Sequence, residues 1–182
     1  MNLPNILTLS RIVMIPVMVF CYYQWPADNA NYIAAWVFMI ASITDWFDGY
    51  LARKLDQSTK LGAFLDPVAD KLSVVIALAL LIEHYSDLLL TIPALIIIGR
   101  EVVISALREW MAELGKRANV AVSVVGKVKT FVQMAAITMV MGFSSDHWMG
   151  MLGMIGLYLA AILTAWSMFT YIKAAWSDLL EE

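Results

Sequence analysis

Six stretches without a charged side chain follow one another along the chain, at 12–27, 29–44, 72–82, 88–99, 130–145 and 147–172. A helix needs roughly 20 apolar residues to cross a hydrocarbon layer about 30 Å thick. The last stretch meets that length unaided. The others meet it by taking polar residues into their ends, as the second does with Asp45 and Asp48 and the fourth with Arg100. With 62% hydrophobic residues and a mean hydropathy of +0.76, the chain has too little polar surface for a water-soluble domain. The pattern predicts an all-α, polytopic membrane protein of six transmembrane helices, with residues 1–182 forming one domain.

Charge distribution predicts the orientation. If six spans alternate, Arg11, Arg53, Lys54, Lys60, Lys71, Arg100, Arg108, Lys116, Arg117, Lys127, Lys129 and Lys173 all fall on one side. The opposite turns, around Asp28, 83–87 and Asp146, hold no Lys or Arg, so both termini are expected in the cytoplasm. Trp25, Tyr85 and Trp148 fall at the expected outer ends, where interfacial aromatic residues belong. Residues 1–10 read as a short amphipathic segment on the cytoplasmic surface, with Pro4 in its opening turn. The run that follows is not a cleaved signal, because no small-residue cleavage site comes after it. Cys21, the single cysteine, lies in an apolar run and offers neither a disulfide nor a zinc site. Residues 109–119 read as a loop containing Gly115 or as the frayed end of the fourth helix. Gly150, Gly153 and Gly156 recur every third residue and allow close helix packing, either in a homodimer face or inside the bundle.

The chemistry concentrates between residues 45 and 70. Asp45 and Asp48 share a face at the end of the second helix, and Gly49 and Ala52 leave that face bare beside them. Arg53 adds a planar cation one turn further on. Gly62, Asp66 and Asp70 repeat every four residues along the start of the third helix, which the short link makes an antiparallel neighbour of the second. Asp66 followed by Pro67 also reads as an N-cap and first-turn proline, and Asp45 and Asp48 as a solvated helix end. Four carboxylates together would repel one another without added positive charge. Oxygen-only ligands suit a hard cation, Mg²⁺ or Mn²⁺, and no Cys or His is near to favour zinc.

Asp45, Asp48, Gly49, Ala52 and Arg53, followed after eight residues by Gly62, Asp66 and Asp70, resemble the signature of the CDP-alcohol phosphatidyltransferases at every position. The length and six-span layout carry the resemblance over the whole chain. It implies that Asp45, Asp48 and Asp66 ligate a pair of divalent metals, with Asp70 completing the site and serving as general base. It implies a pocket for the CDP moiety shaped by Gly49, Ala52, Arg53 and Gly62. Asn5, Thr8 and Arg11, spaced N-x-x-T-x-x-R, resemble a family element near the nucleotide, while Arg11 also reads as an interface anchor. The resemblance further implies CDP-diacylglycerol as donor, release of CMP, and a place in the bacterial cytoplasmic membrane with the site on its cytoplasmic side.

Arg100, Arg108, Lys127 and Lys129 gather at the cytoplasmic ends of the fourth and fifth helices, and such an excess of cations suggests an anionic alcohol, which glycerol 3-phosphate fits. These residues also satisfy the charge bias of membrane topology. Serine and inositol phosphate are the alternative acceptors. Membrane lipids are expected partners and nucleic acid is not. An intramembrane prenyltransferase would need a larger bundle, and an intramembrane aspartyl protease would leave the glycine, alanine and arginine beside the carboxylates unexplained. A cation transporter would carry acidic residues near mid-membrane, whereas these four lie toward one face.

Overall fold

The computed structural model describes residues 3–25, 31–55, 60–115 and 124–180, and within these the side chains of 3, 4, 45–55, 60, 61, 63, 124–128, 174 and 177–180 lie outside the described set. Six helices and no strand occur among the described residues: α1 (Leu3–Gln24), α2 (Tyr32–Leu55), α3 (Lys60–Tyr85), α4 (Leu88–Glu113), α5 (Val124–Gly142) and α6 (Trp148–Leu180). Asn5–Gln24, Leu88–Glu113 and Trp148–Lys173 are long and apolar enough to cross a membrane, and Tyr32–Thr44 is a shorter apolar helix. At about 1.5 Å per residue, the 33 residues of α6 extend to about 50 Å, longer than a hydrocarbon core.

Helix packing explains the layout. α1 lies against α2 and α3, α6 lies against α4 and α5, and α2 and α3 both reach α5. The shared core is built from Met18 on α1, Phe38 on α2, Leu78 and Leu81 on α3, Leu90 and Ile97 on α4, Ile137 and Met141 on α5, and Leu157 on α6. Large apolar side chains remain exposed on the outside, among them Val13, Trp36, Ile92, Phe131, Ile162 and Trp166, as a bundle bathed in lipid requires.

One end of the bundle is tied by side chains that capture helix-terminal backbone groups. Buried Asn31 caps α2, its Oδ1 accepting from the Ala34 N–H at 2.9 Å. Its Nδ2 donates to the carbonyls of Tyr22 at 2.9 Å and Trp25 at 3.1 Å, and its backbone N–H donates to the Met141 carbonyl at 2.9 Å. The last carbonyls of α1 and α5, which no helical turn can satisfy, are thereby used by a single residue. Tyr85 at the end of α3 donates to the Val140 carbonyl at 3.1 Å, and Tyr158 of α6 to the Leu89 carbonyl at 2.7 Å. The bonds of Asn31 and Tyr85 bring the ends of α1, α3 and α5 together beside the start of α2, and short links carry α3 into α4 and α5 into α6, so successive helices alternate in direction.

The structure decides three points that the sequence left open or suggested otherwise. Residues 3–10 are not a separate segment: α1 runs unbroken from Leu3, and Asn5, Thr8 and Arg11 on its first turns are buried against protein. Pro67 lies inside α3, which starts at Lys60, so Asp66 is no N-cap. Residues 109–113 belong to α4, with Leu114 as its C-cap and Gly115 beyond it at φ +71°.

The glycine row of α6 is used inside the bundle, which leaves the homodimer face without the feature that suggested it. A Cβ at Gly153 would lie 2.8 Å from Met139 Cβ and 2.9 Å from the Val140 backbone nitrogen, and one at Gly156 would lie 3.1 Å from Ala136 Cβ. At Gly99 on α4 nothing lies within 4 Å. Gly153→Ala is therefore expected to force α5 and α6 apart at a cost of about 1–3 kcal/mol. Gly99→Ala should be neutral or slightly stabilising through helix propensity. Thermal unfolding of the two variants in detergent checks the contrast, and equal melting temperatures would contradict this packing.

Candidate active site

The polar stripe of α1 faces the carboxylate stripe of α3. Asn5, Thr8 and Arg11 recur every third residue, so they share one face of α1, and all three are buried. Asp66 and Asp70 stand one turn apart on α3, on the same side as buried Gly62. Thr8 Oγ1 donates to Asp66 Oδ1. Arg11 Nη1 donates to Asp70 Oδ1, and its Nη2 donates to Asp66 Oδ1 at 3.3 Å. The Arg11 side chain is 2% exposed, against 46% for Asp66 and 41% for Asp70. The cation thus lies deep between helices while the acids open outward.

The structure therefore brings Thr8, Arg11, Asp66 and Asp70 together, with Asn5 and Gly62 buried on the same two stripes. Asp45, Asp48, Gly49, Ala52 and Arg53 fall on the last turns of α2, which continues to Leu55 and packs against α3. Their side chains lie outside the described residues. Aspartates supply oxygen donors alone, the donor set of a hard divalent cation, and outward-facing Asp66 and Asp70 fit such an ion. Among the described residues no group of three or more acidic, Cys or His side chains comes together, so these two are the part of the expected ligand set that is seen.

A second polar cluster joins α4, α5 and α6. Arg100 Nη1 donates to Glu101 Oε1 at 2.7 Å, and both side chains are largely buried. Arg108 is exposed and lies over the Tyr171 ring, 5.8 Å from its centroid, a cation–π contact. Lys129 is 4% exposed, and its charge interacts with those of Arg100, Glu101 and Arg108. Its Nζ has no hydrogen-bond partner among the described residues, nor does Arg100 Nε. An ammonium buried without a hydrogen-bond partner is costly. The Lys127 side chain lies outside the described residues.

Two members of this region escaped the sequence reading. Tyr171 is one aromatic residue among many in α6, and only tertiary packing shows that it carries Arg108. Gln133, buried one turn beyond Lys129, was legible as the one amide in an otherwise apolar stretch, but a scan for charge passes over it.

Apolar helices long enough to cross a membrane, carrying paired carboxylates and a separate cluster of buried cations, define a polytopic membrane protein with charged groups held inside its helical bundle. The chain belongs to the CDP-alcohol phosphatidyltransferase family, whose profile matches residues 1–171. It is 52% identical over 181 residues to the CDP-diacylglycerol–glycerol-3-phosphate 3-phosphatidyltransferase of Yersinia pestis (strain Pestoides F), covering 100% of this chain and 98% of the relative. The enzyme of the same name from Shigella flexneri serotype 5b is 50% identical over the same 181 residues, again covering 100% of this chain and 98% of the relative.

Replacing Lys129 with methionine keeps most of the side-chain volume and removes the buried charge. We expect Lys129→Met to raise the thermal midpoint, by about 1–3 kcal/mol of stability, as removal of a buried charge lacking a hydrogen bond should. A lowered midpoint in detergent would mean that the ammonium is a structural member of the bundle.

Proposed function

We propose that the protein transfers the phosphatidyl group of CDP-diacylglycerol to sn-glycerol 3-phosphate, giving phosphatidylglycerophosphate and CMP. The observation that carries this reading is identity of about half the residues, over the full length, to enzymes named for that reaction. The cation pocket supports the choice of acceptor: Lys129 Nζ and Arg100 Nε are buried donors without hydrogen-bond partners among the described residues, as an incoming phosphate requires. Arg108 adds charge at the mouth and Lys127, at the start of α5, adds more. Glu101 balances Arg100 until the acceptor arrives.

The acceptor hydroxyl attacks the phosphatidyl phosphorus, a new P–O bond forms, and the bond to the CMP phosphate breaks with its electron pair leaving on CMP. Asp70 takes the hydroxyl proton on its carboxylate. Asp45, Asp48, Asp66 and Asp70 would hold two divalent cations, Mg²⁺ or Mn²⁺, which when bound supply neutralising charge to the diphosphate. Gly49, Ala52 and Gly62 leave room for the CDP group beside these carboxylates, and Arg53 gives it a cation. The lipid tails stay among the exposed apolar side chains while both head groups enter from water.

The alternating helices support six membrane crossings, and the collection of Lys and Arg toward one end supports a cytoplasmic site and cytoplasmic termini in the bacterial inner membrane. Purified protein with CDP-diacylglycerol and Mg²⁺ or Mn²⁺ is expected to release CMP with glycerol 3-phosphate and not with serine or inositol phosphate. Asp70→Asn should lose on the order of 10²- to 10⁴-fold in turnover. Lys129→Met should raise KM for glycerol 3-phosphate about tenfold or more, with a smaller effect on the donor lipid. Turnover with serine instead would sink the pocket assignment, and turnover with no cation added would sink the metal assignment.

A further inference from the structure

We propose that Arg11 is a positioning residue for the α3 carboxylates: its guanidinium bridges Asp66 and Asp70 and sets their spacing before a cation is loaded. This rests on the reading that these aspartates hold divalent metal, and it differs from the nucleotide-side role that the family resemblance implied for Arg11.

Depth is the first observation. A group recruited to grip a water-borne nucleotide would offer its donors at the opening, yet Arg11 is 2% exposed and lies beneath carboxylates that are 46% and 41% exposed. Geometry is the second. Different nitrogens of one rigid plane reach one oxygen on each aspartate, Nη1 to Asp70 Oδ1 and Nη2 to Asp66 Oδ1, so the fork itself fixes the separation of the two acids. The third is redundancy at Asp66, whose Oδ1 also accepts from Thr8 on the same face of α1. Two donors from one helix thus hold one carboxylate oxygen on another.

Like charges one helical turn apart repel, and without a bridging cation the two side chains would turn to separate rotamers. Lysine can replace the charge of Arg11 but not the planar fork. Partners that orient metal ligands typically contribute 10- to 100-fold to metal affinity, although they never touch the ion. Arg11→Lys is accordingly expected to weaken Mn²⁺ binding about tenfold or more. Thr8→Val, which removes one hydrogen bond and leaves Arg11 in place, should weaken it by less.

The test is Mn²⁺ titration followed by electron paramagnetic resonance on the full chain in detergent, without lipid substrate, for wild type, Arg11→Lys and Thr8→Val. Weaker binding in both variants, with turnover restored by raising Mn²⁺ and not by raising CDP-diacylglycerol, supports the positioning role. Tighter binding in Arg11→Lys would overturn it and make Arg11 a competitor that the metal must displace. Unchanged Mn²⁺ affinity with a raised KM for CDP-diacylglycerol would also overturn it and return Arg11 to the nucleotide. If Arg11→Lys does not fold, Thr8→Val decides, and wild-type Mn²⁺ affinity there is the overturning result. Failure of wild type itself to bind Mn²⁺ would remove the metal reading, and the Arg11 proposal with it.

Discussion

The bridge from Arg11 to Asp66 and Asp70 is the interaction on which the site depends, because it joins two helices through charges that the apolar interior would otherwise exclude. A guanidinium almost wholly withdrawn from water is tolerable only when its charge is paired and hydrogen-bonded. That requirement draws the first turns of α1 onto α3. A segment that would otherwise have its polar face in water becomes part of one continuous helix, and Thr8 is carried into the same contact. Removing either acid would take away one of the charge partners that hold this buried cation.

The two ends of the bundle solve opposite problems. At the far end, Asn31 and Tyr85 satisfy the last carbonyls of α1 and α5, and Tyr158 reaches the backbone of α4. Backbone groups left over at helix termini find partners there, and the carboxylates of Glu83 and Asp87 at the same end accept from the Tyr23 hydroxyl and the Leu89 N–H. Toward the other end, charge is concentrated: the Lys129 ammonium is buried without a hydrogen bond among the described residues, and the carboxylates of α3 face outward. One end holds the helices in register, and the charged groups gather toward the other. The small residues of α6 serve the same division, since Gly153 and Gly156 seat it closely on α5 below the tied end.

Residue type and spacing made much of this legible. The charge-free stretches marked helices because a membrane tolerates little else, and Gly62, Asp66 and Asp70 announced a helix face through their four-residue period. The Arg100–Glu101 pair was legible as neighbouring opposite charges, and the structure contains it. Other features were silent. Asn31 caps one helix and closes two others, but a lone asparagine after a turn carries no mark of its distant partners Met141 and Tyr22. Tyr171 is chemically ordinary until Arg108 lies over it. The glycine row permitted close packing without saying against what.

By itself the sequence determined an all-helical membrane architecture, the family, and the carboxylates that the family signature singles out, because hydropathy period and motif spacing are local properties that survive without a fold. Only the tertiary structure decided that α6 spends its glycines on α5, that Asn5, Thr8 and Arg11 on the first turns of α1 are buried against protein, and that Arg11 reaches Asp66 and Asp70 across 55 and 59 positions of chain. These are choices of partner. A side chain fixes what it needs, a counter-charge or a close neighbour, but several residues could meet each need, and the packing of the helices selects among them.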